Sequence, residues 1–61
     1  MKKYQISIRT TSGAISDIDT VVTSLENYSA DDYFAASLLV ADEDYCKLLA
    51  ESEIIVTEVE L

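Results

Sequence analysis

The sequence contains no histidine, proline or tryptophan, and only one glycine and one cysteine. Without histidine there is no Ser-His-Asp or Cys-His catalysis and no imidazole metal site. A lone cysteine, Cys46, permits neither a disulfide framework nor a cysteine-based zinc site. With no proline and only Gly13, little chain is set aside for loops, so most of it reads as regular structure with short connections. Cations are scarce: four Lys and Arg cannot neutralise many phosphates, which argues against direct nucleic-acid binding. The longest apolar stretch, Leu38 to Ala41, falls far short of the about 20 residues of a membrane span. Lys2 and Lys3 precede an alternating stretch, Tyr4 to Arg9, that is unlike the apolar region of a secretory leader. The expected compartment is therefore the cytoplasm, which a single unpaired cysteine suits.

What is present is acid and aliphatic side chain. Of 61 residues, 49% are hydrophobic, too many for a disordered acidic tail. Twelve Asp and Glu against four Lys and Arg give a formal charge of -8. The length allows one domain, near the limit at which a core outweighs chain entropy without a disulfide or metal.

Periodicity divides the chain. Tyr4, Ile6 and Ile8 alternate with Lys3, Gln5, Ser7 and Arg9, which predicts a half-buried strand over 3–9. Thr10-Thr11-Ser12-Gly13 is the clearest turn. Ile18, Val21, Val22, Leu25 and Tyr28 fall on one helical stripe, with Ser16 and Asp19 in capping-box positions, which predicts a helix over 17–27. Residues 28–41 admit two readings: a helix capped by Ser29 and Asp32, or a buried strand from Tyr33 to Ala41. Asp42 reads as the N-cap of a helix over 43–51, and 53–60 as a closing strand. The expected class is α+β: one small sheet with two helices on one face, ferredoxin-like βαββαβ or a reduced variant.

That order resembles the βαββαβ domain of subtilisin propeptides and their free-standing inhibitor relatives. Lys3-Tyr4-Gln5-Ile6-Ser7-Ile8 looks like the family's opening strand, and Phe34-Ala35-Ala36-Ser37-Leu38 is similar to its third strand. Asp42 to Ala50 and Ile54 to Glu60 resemble its last helix and closing strand. The resemblance implies inhibition of a subtilisin-like protease, or a folding-chaperone role, through the sheet face and Val59-Glu60-Leu61. A second resemblance rests on size and charge: small, strongly acidic proteins of this kind look like phage anti-defence proteins, among them anti-restriction and anti-CRISPR inhibitors that imitate nucleic acid. It implies action in the cytoplasm of a host cell.

Charge is unevenly spread. Residues 1–9 hold Lys2, Lys3 and Arg9 and no acid, whereas all twelve acids and only Lys47 follow. A field of that sign repels nucleic acid and attracts the basic groove of a protein that binds it. The acids that would face such a partner in place of phosphates are Asp31, Asp32, Asp42, Glu43, Asp44, Glu51, Glu53, Glu58 and Glu60. Tyr33, beside Asp31 and Asp32, is the aromatic expected to be exposed as a contact for an Arg-rich partner, whereas Tyr4, Tyr28 and Tyr45 fit the apolar stripes of the core. Asp42, Asp44 and Glu53 echo calcium-loop spacing, but Cys46 and Lys47 stand where that loop takes a ligand and a glycine, so no metal and no cofactor are expected. Paired carboxylates on so short a chain leave little room for a catalytic pocket, so an enzyme is not expected. The leading expectation is a non-enzymatic acidic inhibitor, monomer or homodimer, that blocks the nucleic-acid-binding surface of a basic protein or effector complex. A propeptide-like inhibitor comes second and a structural or adaptor dimer third.

Overall fold

A computed structural model describes every residue from Met1 to Leu61. Five elements follow one another: β1 (Lys2–Arg9), β2 (Ile15–Thr23), α1 (Ala30–Val40), α2 (Glu43–Glu51) and β3 (Glu53–Val59). The strands form one antiparallel sheet in the order β2-β1-β3. The class is α+β, with one small sheet and both helices on one face, but the order is ββααβ rather than βαββαβ.

β1 is the central strand, and its alternation sets the two faces. Tyr4, Ile6 and Ile8 are buried beneath Tyr33 of α1 and Leu49 of α2, and these five side chains are the core. Lys3, Gln5, Ser7 and Arg9 point to the uncovered face, where the Ser7 hydroxyl donates to Asp17 Oδ1 at 2.6 Å. β3 lies antiparallel on one side of β1, placing Val56 opposite Ile6 and Ile54 opposite Ile8. Both residues pack against the core.

The helix expected over 17–27 is a correction: Ile15–Thr23 is a strand. Six of its nine residues are β-branched (Ile15, Ile18, Thr20, Val21, Val22 and Thr23), which disfavours a helix and suits a pleated surface. The turn after β1 makes a hairpin available. Thr10 N–H donates to the Ala14 carbonyl and Gly13 N–H to the Thr10 carbonyl, both at 2.9 Å, with Gly13 at φ 89. The helical spacing has a structural source. Ile6 pairs with Asp19 and Ser7 with Asp17, so Ile18 is an unpaired bulge residue. The bulge lets Ile18 and Val21, three apart, both pack on the core.

The ambiguity over 28–41 resolves as a helix. The Ser29 hydroxyl accepts from Asp32 N–H at 3.2 Å, while the Asp32 carboxylate accepts from Ser29 N–H at 2.9 Å, a complete capping box. Phe34 to Leu38, likened above to a third strand, is therefore helical. α2 is as expected: Asp42 Oδ1 accepts from Tyr45 N–H at 2.8 Å, and Leu49 is the buried residue of its apolar stripe. No helix is long and apolar enough to cross a membrane.

With so small a core, one truncation is decisive. Leu49→Ala removes a side chain that is 1% exposed and is expected to cost about 3 kcal/mol, much of what a domain of this size has. Leu39→Ala, at an 86% exposed position, should change stability by less than about 0.5 kcal/mol. Urea titrations followed by circular dichroism measure both; equal effects would show that the helices do not pack as described.

Candidate functional site

The acids singled out from the sequence divide into two groups. Glu58 accepts from Lys2 Nζ at 3.2 Å, and Glu53 from Arg9 Nη1 at 3.4 Å. Glu58 sits opposite Tyr4 on β3, and Glu60 follows the strand in the same shallow recess as Lys2 and Lys3. The β3 acids thus lie among the cations of β1, and the Lys2 ammonium is held above its ordinary pKa by its hydrogen bond to Glu58. The helix layer is different. From Ala30 to Glu51 there are six acids and one cation, Lys47, a local charge of -5.

Those six acids occupy helix ends. Asp31 and Asp32 lie in the first turn of α1, Asp42 caps α2, and Glu43 and Asp44 form its first turn. These five complement the positive ends of their helices, and Asp32 and Asp42 also bond the backbone, whereas Glu51 is the last residue of α2. Asp31 shares a recess with Ala50 and Ser52 at the end of α2. Asp42, Glu43 and Asp44 follow the last turn of α1, where Leu38, Leu39 and Val40 are exposed, Leu39 and Val40 by 86%. The sequence marks Leu38 to Ala41 as its longest apolar stretch, but nothing in it shows that the run is exposed. A helix apolar on more than one side is ordinarily buried on more than one side, and this one is not.

Tyr33 is the second correction. It is 5% exposed, not a surface contact, because α1 points it at the sheet together with Ser37 one turn later. Its hydroxyl lies 2.9 Å from Asp19 Oδ2 and 2.8 Å from the Tyr45 hydroxyl. Burial, then the bonds to Tyr45 and Asp19, push its pKa well above the ordinary tyrosine value. Tyr28 is raised as well, first by burial and then by Asp32 and Asp19; its ring stacks on Tyr4 with centroids 5.4 Å apart. Sequence reasoning missed the Asp19–Tyr33–Tyr45 group because it placed Asp19 on a helix, away from α1.

This group lies in a groove of about 390 Å³ between β2 and the helices. No three or more Cys, Asp or Glu side chains converge in a way that could hold a metal ion. Asp42 and Asp44, whose spacing to Glu53 echoes a calcium loop, stand at the cap and in the first turn of α2, while Glu53 opens β3. Cys46 is half-buried, with its thiol 3.5 Å from the Ser37 carbonyl, a boundary position between the helices.

The chain matches no protein-family model, and no significant match was found to a curated protein or to a solved structure.

The tyrosine pKa shifts fix an alkaline limit to stability. Folded Tyr33 and Tyr28 hold their protons above the pH at which the unfolded chain releases them, near 10. Their contribution is complete below about pH 10 and is lost as pH rises further. Urea midpoints should hold steady up to about pH 9 and fall beyond about pH 10. Tyr33→Phe should lower stability at neutral pH by about 1 kcal/mol and flatten the alkaline fall. A variant with the wild-type alkaline slope would show that Tyr33 does not carry the effect.

Proposed function

We propose that the protein is a non-enzymatic acidic inhibitor that occupies the nucleic-acid-binding surface of a basic partner, with the helix layer as its contact face. One observation carries this reading. The exposed apolar turn Leu38-Leu39-Val40 runs directly into Asp42, Glu43 and Asp44, within a layer of charge -5. A merely solvated acidic surface has no use for three exposed aliphatic side chains, whereas an interface joins an apolar centre to a charged surround. The acids supply attraction and orientation toward a basic surface, and the aliphatic turn supplies area to desolvate.

The earlier set of contact residues is narrowed accordingly. Asp31, Asp32, Asp42, Glu43, Asp44 and Glu51 belong to the proposed face. Glu53 and Glu58 are partnered by cations and Glu60 lies beside Lys2 and Lys3, so these three contribute less to the field. The ββααβ order weakens the likeness to subtilisin propeptides, whose third strand would have to be Phe34 to Leu38.

The test displaces labelled DNA or RNA from a panel of basic nucleic-acid-binding proteins, by fluorescence anisotropy at low and moderate salt. Stoichiometric displacement of at least one, weakening as salt rises, is expected. Replacing Asp31, Glu43, Asp44 and Glu51 by their amides spares both bonded caps. If each of the four forms an exposed ion pair worth about 0.2–1 kcal/mol, the loss lies between about fourfold and about a thousandfold. Glu53→Gln with Glu58→Gln should change binding little. Salt-tolerant, stoichiometric inhibition of a subtilisin-type peptidase, with no displacement of nucleic acid, would establish the protease reading in its place.

A further inference from the structure

The Asp19 carboxylate stands on the helix-facing side of the sheet, opposite Ile6, with no cation of the chain against it. Proton counting determines what the floor of its groove offers. An ionised carboxylate only accepts, so the single Tyr33 proton must go to Asp19 Oδ2. Tyr45 must then donate to the Tyr33 oxygen, because that proton is already committed. Asp19 Oδ1 accepts from Thr20 N–H at 2.7 Å. Every donor in the chain Tyr45–Tyr33–Asp19 is used, while lone pairs remain on the carboxylate and on the Tyr45 oxygen. Both groups lie within one hydrogen bond of the Tyr33 oxygen, and the walls are apolar or aromatic: Val21, Tyr28 and Val40.

A Tyr45–Tyr33–Asp19 chain that accepts but cannot donate, carries one negative charge and has aromatic and aliphatic side chains beside it fits a cation with several donors on an apolar stem. We infer that this groove receives the guanidinium of an arginine side chain presented by a partner protein. Its planar fork can donate to Asp19 and to Tyr45 together and lie against the ring of Tyr28, whereas an ammonium offers a more heavily hydrated point charge. Val40, on the lip, joins the groove to the exposed end of α1. The inference rests on the reading that the partner is a basic protein, and adds where one of its arginines is seated.

The experiment titrates N-acetyl-arginine amide into the full chain and follows backbone amide shifts by NMR. The lysine and citrulline amides serve as charged and uncharged comparisons. Arginine should shift the Asp19, Tyr28 and Val40 amides saturably, with a dissociation constant on the order of 1–10 mM for so small a ligand. Lysine should bind about fivefold or more weakly and citrulline should leave these amides unmoved. Asp19→Asn keeps an acceptor for Tyr33 and should weaken arginine about tenfold while the spectrum stays dispersed. Tyr45→Phe, which keeps the ring, should weaken it by a smaller factor. Equal binding of lysine, an unchanged response in Asp19→Asn, or shifts confined to the helix-end acids would overturn the inference. Should the groove fail while nucleic-acid displacement persists, the acidic helix layer remains the contact face. Arginine seated in the groove without displacement from any protein would leave the groove standing and remove the nucleic-acid reading.

Discussion

Burial of Tyr4, Ile6 and Ile8 on one face of β1 is the interaction on which the rest of the molecule depends. β1 is the only strand with a neighbour on each side, and both helices reach the sheet over this face. Only five hydrophobic side chains are buried in the whole chain, and three of them are these. Tyr4 has a second role. Its hydroxyl donates to the Leu25 carbonyl at 3.0 Å and its ring stacks on Tyr28, so it ties the segment between β2 and α1 to the sheet. With no disulfide and little hydrophobic depth, a chain of this length has no alternative site from which to organise itself.

The edge of that core is polar by design of the register. Pairing with Ile6 turns the exposed Asp19 toward the helices. Tyr33 buries its ring in the core, and its hydroxyl, which would be costly to leave unpaired, reaches that carboxylate. Tyr45 from the second helix completes the chain, so two helices and an edge strand are joined through one tyrosine oxygen. No buried side-chain polar atom is left without a partner, as a small core requires.

Local signals explain what was legible in the sequence. α2 was read correctly because cap and apolar stripe agree: Asp42 bonds the first turn, and Leu49 comes one helical turn after Tyr45. β1 was legible because its alternation is unbroken. β2 was misread because a bulge mimics helical spacing, and whether a bulge forms depends on the partner strand. α1 stayed open because its apolar residues mark no single face, so only the Ser29–Asp32 box distinguished helix from strand. Tyr33 was misplaced by its acidic neighbours: Asp31 and Asp32 do face water, but helical geometry turns the next residue inward. Charge could be counted from the sequence, but which acids would meet Lys2 and Arg9 depended on sheet register.

The placement of acids therefore separates local work from long-range effect. Asp32 and Asp42 bond the backbone at helix starts, and that use alone accounts for their presence. Glu53 and Glu58 match the cations of β1 across the sheet. Asp31, Glu43, Asp44 and Glu51 have neither a hydrogen-bond partner nor a salt-bridge partner among the side chains, and Glu51 stands at the C-terminal end of α2, where negative charge is unfavourable to the helix. Helix stability explains the N-terminal acids but not that one. A chain selected only for its own fold would place a cation there. An acid at that position, on a layer with one lysine, adds to the negative field of the proposed contact face at a small cost to the helix that carries it.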